Sequence, residues 1–301
     1  MKVRLRGEAV PYPLFALRGR LRISGLNDKA ISEVVLGSLD CTFDTEKALL
    51  NHIRESLKEH QKSIQTNFET LTNYENIRSD VQEVPPIVVV LEGASATGKS
   101  LIALQLMSDL TATRFISTDS VRQVLRCIMK KEQYPELFCH TYQAHLYKTA
   151  GPPDLDPVIR GFLAQCEIIS PPIKAMTERV IAEGAIAVIE GVHIEPGTLQ
   201  GLSPSVVEVM INPDRNIHRA MFSSKRDIGK LKTVSEDPNV RNREFEATRT
   251  IQDYMIQIAK QSNVPIITLT EYDDAFREIC SLIISKAREL IRAFEDGAAK
   301  E

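Results

Sequence analysis

Eight consecutive residues constrain this chain more than any other part of it. Gly93-Ala94-Ser95-Ala96-Thr97-Gly98-Lys99-Ser100 satisfies G-x-x-x-x-G-K-[ST] in full, directly after the apolar run Ile87–Leu91 and directly before the helical run Leu101–Leu110. Strand, glycine-rich turn and helix form the context in which that spacing has meaning, and a chance glycine turn would lack it. The glycines let the backbone wrap around a polyphosphate with its N–H groups pointing inward, and the helix N-terminus adds a favourable dipole. Read in this way, Gly93 through Leu101 bind a nucleoside triphosphate. Lys99 bridges its β- and γ-phosphates, and the Ser100 hydroxyl ligates Mg²⁺.

From Pro86 onward, short β-branched runs alternate with longer helical stretches: Ile87–Leu91, Phe115–Ile116, Ala185–Ile189, Val206–Ile211 and Pro265–Leu269. The alternation predicts an α/β fold of the P-loop NTPase kind, a parallel sheet with helices on both faces. A final amphipathic helix, with Phe276, Cys280, Ile283, Ala287 and Leu290 on one stripe, is expected to face the core. Ahead of Val84-Pro85-Pro86 the texture differs: residues 45–83 are polar, with Leu49, Leu50, Ile53 and Leu57 at helical spacing. A length of 301 residues accommodates two domains. The expected division is a small, mostly helical N-terminal domain over residues 1–84 and a larger one over 85–301.

No N-K-x-D guanine signature and no second nucleotide motif appears, so size and elimination favour a kinase over a GTPase or a motor ATPase. The second strand runs into Ser117-Thr118-Asp119-Ser120-Val121-Arg122, which places Asp119 at the C-terminal edge of the sheet, where open α/β sheets bind ligands. A carboxylate there can accept the proton of an attacking hydroxyl, and Arg122, three residues on, can hold an anionic acceptor. A plain helix cap is the bland alternative for Asp119. The strand Ala185–Ile189 delivers Glu190 to the same edge, suited to ordering the Mg²⁺ shell, and His193 follows as an acceptor contact, a proton carrier or a structural histidine. Between the second and third strands lie Arg160 and Gln165, in a segment that is either a structural insert or the acceptor pocket that small-molecule kinases place there. Nine basic residues gather between Asp214 and Thr250, diluted by six acids. Most read as a solvated helical hairpin, but Asp227–Asn242 reads as a lid. Of its neighbouring cations, Arg226 is placed at the transferring phosphate and Arg241 and Arg243 at the substrate, with Lys225 as a further candidate.

The charge balance, 37 Lys+Arg against 40 Asp+Glu, excludes a protein that coats nucleic acid or a membrane surface. Five widely spaced cysteines with no CxxC pair read as reduced thiols, and no apolar run nears the roughly 20 residues that span a bilayer. The expectation is a cytoplasmic protein without nucleic-acid or membrane partners, acting on a small phosphorylated acceptor. The sequence leaves a homo-oligomer open.

Taken together, GASATGKS, ISTDSVRQVLR (Ile116–Arg126), VIRGFLAQ (Val158–Gln165), AEGAIAVIEGVHIEPG (Ala182–Gly197) and RTIQDYMIQIA (Arg249–Ala259) make residues 85–270 resemble archaeal-type 2-phosphoglycerate kinase. The resemblance implies transfer of the γ-phosphate of ATP, with Mg²⁺, to the 3-hydroxyl of 2-phosphoglycerate. The roles that follow are Asp119 as base, Arg122 and Arg160 as acceptor clamp, and Glu190 on the metal. Two departures stand out: His140-Thr141-Tyr142-Gln143-Ala144 is one residue shorter than the family's usual acceptor segment, and Pro171-Pro172 is expected to interrupt a helix that is otherwise continuous. A related branch with the same IEGVH and TIQDY pattern implies an inositol phosphate-like polyol acceptor instead. A polynucleotide or nucleotide-sugar hydroxyl kinase shares Ser-Thr-Asp…Arg but would need an aromatic-basic groove. A nucleotide-sensing regulator without transfer is the reading from a different class. The first 84 residues more weakly resemble an ATP-cone module, with a basic strand at Val3–Arg6 and a turn at Val10-Pro11-Tyr12-Pro13. Six basic residues lie within the first 22, against Glu8 alone.

Overall fold

In the computed structural model, which describes residues 1–81, 83–229, 235 and 237–298 apart from the side chains of 225–229, two sheets are each backed by helices. The first is small and mixed. β1 (Lys2–Leu5) pairs antiparallel with β2 (Glu8–Pro11) and parallel with β3 (Thr42–Phe43). The hairpin turns at Arg6-Gly7, whose φ angles of 52° and 90° suit a two-residue loop matched to strand twist. Val10-Pro11, expected as a turn, is therefore strand, and the turn falls four residues earlier, where the glycine sits. α1 (Leu14–Ile23), α2 (Asp28–Leu36), α3 (Glu46–Leu57) and α4 (Lys62–Asp80) complete this part. The polar stretch 45–83 is thus two helices, and Leu49, Leu50, Ile53 and Leu57 form its buried stripe.

The second sheet has five strands in the order β5-β6-β4-β7-β8, all parallel: β4 (Val88–Glu92), β5 (Arg114–Ser117), β6 (Ala187–Gly191), β7 (Val206–Pro213) and β8 (Ile266–Leu269). β4 and β6 are buried along their whole length, as central parallel strands covered on both faces must be. α5 (Lys99–Asp109) and α10 (Tyr272–Ala298) pack on one face; α6 (Thr118–Ile128) and α7 (Pro157–Ala182) pack on the other, joined by single 3-10 turns at Pro135–Phe138 and Thr141–Leu146. α8 (Arg215–Gly229) and α9 (Pro238–Gln261) close the end beside the phosphate loop. The α/β P-loop class is as the sequence predicts, and Phe276, Cys280, Ile283, Ala287 and Leu290 are all buried.

Two local expectations are corrected. α7 runs unbroken through Pro171-Pro172. Proline removes N–H donors from a helix, but Pro171 and Glu167 lie on the exposed side, where the freed carbonyls can turn to water while Phe162, Ile169, Ile173 and Val180 stay anchored below. The stretch Asp227–Asn242, expected as a lid, is helical at both ends: α8 runs to Gly229 and α9 already begins at Pro238, capped by the Asp237 side chain, while residues 230–234 and 236 lie outside the described residues. Proline at the first helical position costs no backbone bond.

The N-terminal helices pack directly on the second sheet's helices. α1 crosses α5 so closely that a Cβ on Gly19 would overlap the Asp109 backbone. Arg22 Nη1 reaches the buried Asp109 carboxylate at 2.6 Å, and Tyr74 Oη donates to Pro85 O and accepts from Ile87 N across the junction. Among the described residues, no helix is long and apolar enough to cross a membrane.

Candidate active site

The phosphate loop is a compact local fold between β4 and α5. Gly98 has φ 86°, and a Cβ there would lie 2.5 Å from Leu269 Cδ2 and 2.9 Å from Tyr272 Oη, so conformation and space both demand glycine. Ala96 also sits in the left-handed region, at φ 65°, at the crest of the loop. Thr97 Oγ1 donates to Ala94 O at 3.1 Å, and Lys99 Nζ donates to the same carbonyl at 3.2 Å. Two side chains from outside the loop brace it. Gln252 accepts from Ala94 N at 2.8 Å and donates to Ile211 O at 2.9 Å, tying the loop to β7. His218 Nε2 donates to Ser95 O at 2.9 Å, and burial lowers the pKa of its ring.

Strand register brings the acid of β6 to this loop. Glu190 lies opposite Leu91 of β4 on one side and Ser117 of β5 on the other, so Lys99, Ser100, Glu190 and the start of α6 converge on one edge. Ser100 Oγ donates to Glu190 Oε2 at 3.0 Å, and Lys99 Nζ lies 3.9 Å from the same oxygen. A hydroxyl and a carboxylate meeting in this way are the hard oxygen donors that suit Mg²⁺.

The acceptor side begins two residues past Ser117. Asp119 lies in the first turn of α6, where Ser117 is the cap, and Arg122 Nη2 pairs with Asp119 Oδ1 at 2.9 Å. Arg122 is nearly buried, whereas the Asp119 side chain is 66% exposed, so the carboxylate faces the open edge while its partner anchors it. Arg122 Nη1 and Arg126 Nη2 both donate to Cys139 O at 3.2 Å, which ties α6 to the segment after Pro135–Phe138. Gln165 is fully buried and bonds Glu136 O and the His193 ring. Arg160, in the first turn of α7, makes no ion pair among the described residues, and its Nε is buried without an acceptor.

The structure therefore joins Lys99, Ser100 and Glu190 in one cluster, and Asp119, Arg122, Gln165 and His193 in an adjoining one. His193 is fully buried, with its ring held by Thr118, Thr141 and Gln165, an arrangement that fits the structural reading of this residue. Arg241 is engaged: it pairs with Glu244 at 3.1 Å, donates to Phe222 O and stacks 4.1 Å over the Phe222 ring. Arg243 is exposed. The side chains of Lys225 and Arg226 lie outside the described residues. Gln252 and His218, which brace the loop, are positions that residue type alone does not point to. The one signal for Gln252 is its place in the RTIQDYMIQIA run, since glutamine has no chemistry that points to a phosphate loop.

No protein-family model matches the chain. Among curated proteins, it is 32% identical over 221 residues to a 2-phosphoglycerate kinase of Methanothermobacter thermautotrophicus, covering 71% of this chain and 70% of that one. It is 31% identical over 265 residues to a 2-phosphoglycerate kinase of Methanopyrus kandleri, covering 87% and 75%. A third protein of that name, from Thermococcus kodakarensis, is 29% identical over 204 residues, 68% of each chain. Among solved structures, TT1252 from Thermus thermophilus aligns with 66% of this chain and 97% of its own at 14% identity and a TM-score of 0.41, a likeness too remote to add weight.

Proposed function

This chain belongs to the 2-phosphoglycerate kinase family, and we propose that it transfers the γ-phosphoryl group of ATP to the 3-hydroxyl of 2-phosphoglycerate, giving ADP and 2,3-diphosphoglycerate. The observation that carries this reading is the shared edge where Ser100 and Lys99 meet Glu190 one strand away from the Asp119–Arg122 pair.

Each residue's part follows from its chemistry. The backbone N–H groups of residues 93–100, the N-terminus of α5 and Lys99 hold the triphosphate. Ser100 and Glu190 are the side chains that would hold Mg²⁺, which when bound offsets negative charge on the phosphate oxygens. Asp119 takes the proton of the 3-hydroxyl as that oxygen bonds to the γ-phosphorus. The bond from the γ-phosphorus to the β,γ-bridging oxygen breaks, and its electron pair leaves with ADP. Arg122 keeps Asp119 in place, and Arg160, whose guanidinium has no carboxylate partner among the described residues, takes the acceptor's phosphate or carboxylate. Arg243, which is exposed, closes over the departing group together with Arg226, whose side chain lies outside the described residues. Positioning and charge neutralisation supply most of such catalysis.

The test is phosphorus NMR of the chain with ATP, Mg²⁺ and 2-phosphoglycerate. The expected result is a second phosphate resonance on the acceptor, rising in step with ADP. ADP with free phosphate and an unchanged acceptor would overturn the assignment.

For residues 1–84 the reading is an ATP-cone-like sensing domain. It is supported by Lys2, Arg4, Arg6 and Arg18 on the hairpin and α1, and by the packing of α1 on α5, the helix that the phosphate loop opens. Calorimetry of full-length Lys99→Met with ATP is expected to retain one nucleotide site. Complete loss of ATP binding in that variant would remove the sensing role.

A further inference from the structure

His193 is the best-connected side chain near the site, and the reaction as described does not use it. It lies three residues beyond Glu190, fully buried, with both ring nitrogens engaged. Nδ1 is 3.1 Å from Thr118 Oγ1; Nε2 is 2.9 Å from Gln165 Oε1 and 3.2 Å from Thr141 Oγ1. Its own carbonyl accepts from Ser170 Oγ at 2.9 Å.

The partners fix the tautomer. Gln165 Nε2 donates to Glu136 O, so the amide oxygen is the end that faces His193, and Nε2 of the ring must carry the proton. Nδ1 is then bare and accepts from the Thr118 hydroxyl. Thr118 immediately precedes Asp119. It also presses on β6, where a Cβ on Gly191 would overlap its side chain. One ring thus spans the exit of β6, which carries Glu190, the first residue of α6, which carries Asp119 and Arg122, and α7, which carries Gln165. Burial pushes the His193 pKa down to about 3; the charges of Arg122, Lys99 and Arg126 act in the same sense and that of Asp119 opposes it, so the ring is neutral at neutral pH.

We propose that His193 is a positioning residue: as the Nε2-protonated tautomer, and through Thr118, it sets the placement of Asp119 relative to Glu190, and so the reach of the base to the acceptor hydroxyl. This deepens the kinase reading and rests on it. A displacement of about 1 Å in such a constellation can cost on the order of a hundredfold in rate, with nucleotide binding left intact.

The experiment compares His193→Asn, whose amide can still accept from Thr118, with His193→Gln, whose longer amide can still donate to Gln165, alongside Thr118→Val and Thr118→Ser. Steady-state kinetics and thermal melts are recorded for each. The expected result is a fall of about ten- to a hundredfold in kcat for His193→Gln and Thr118→Val, near-normal kcat for His193→Asn and Thr118→Ser, and an unchanged KM for ATP throughout. The double variant Thr118→Val/His193→Gln should be no slower than the worse single variant. If kcat follows thermal stability alone, or if His193→Asn and His193→Gln lose equally, the positioning role is wrong. Nitrogen NMR of the wild-type ring at pH 7 is an arm that needs no turnover: a protonated Nε2 and bare Nδ1 are expected, and the opposite tautomer overturns the proposal. Failure of wild type to phosphorylate 2-phosphoglycerate would instead count against the kinase assignment and leave the NMR result standing.

Discussion

On the phosphate side of the site, the turn itself is made within a few residues: Thr97 and Lys99 bond a carbonyl three and five residues back. On the acceptor side, apart from the Asp119–Arg122 pair within α6, the bonds are long-range. His193 meets Thr118 across 75 residues and Gln165 across 28, and Arg122 meets the Cys139 carbonyl across 17. A local motif can be read from spacing, because glycine conformations and short-range contacts shape the turn, even though Gln252, His218 and Glu190 reach it from across the fold. A wall assembled from four segments can be read only as a collection of plausible residue types. The difference also predicts how each side fails. Changes in the loop should abolish nucleotide chemistry outright, whereas changes in the wall should separate rate, acceptor affinity and stability.

The largest effect is expected on the phosphate side: Lys99→Met should lower kcat by about a thousandfold or more, since the role proposed for Lys99 is to meet developing charge on the phosphates. Next comes Asp119→Asn, expected to lower kcat by about 10²–10⁴ with KM for ATP unchanged. Quenched-flow product assays check both, and a normal rate for Asp119→Asn would mean that the base lies elsewhere. Arg160→Ala is expected to act mainly on binding, raising KM for the acceptor by about ten- to a hundredfold, in line with the loss of one or two charge-assisted hydrogen bonds. Equal changes in both substrates' KM would place Arg160 outside the acceptor wall.

The smallest effect sharpens the comparison from beneath the loop. Glu92, the last residue of β4, is fully buried beside Glu208, whose carboxylate takes backbone N–H groups from Gly197, Leu199 and Gln200 at 2.5–2.6 Å. Burial first, and then the Glu208 charge, push the Glu92 carboxyl well above the ordinary glutamate range. The folded state therefore holds a proton that the unfolded chain releases near pH ~4.3. Its contribution to stability is complete below that pH and is lost as pH rises toward the folded value. Melting temperature should accordingly decline with rising pH more steeply in the wild type than in Glu92→Gln, and identical slopes would show that Glu92 is already ionised.

Much of this protein is legible from residues alone, and the misses have a common cause. The five strands, the loop, and the acids Asp119 and Glu190 all follow from period and position, because each is set by neighbours within a few residues. Pro171-Pro172 misleads because whether a proline pair breaks a helix depends on what the freed carbonyls face. Arg241 misleads because a cation's availability depends on its partners, here Glu244 and the Phe222 ring, and not on its charge. Gln252 and His218 pass unnoticed because their service to the loop is a pair of backbone contacts across the fold.

By itself the sequence determined the phosphate loop, the parallel sheet behind it and the two carboxylates at its edge, since glycine conformations and strand periodicity act locally. Tertiary structure alone decided that Glu190 would stand 3.0 Å from Ser100, that the His193 ring would be buried between Thr118 and Gln165, and that Arg241 would pair with Glu244 while Arg160 has no carboxylate partner among the described residues. Those outcomes rest on desolvation and on long-range hydrogen-bond partners. Both are properties of the packed interior, and a linear spacing does not carry them.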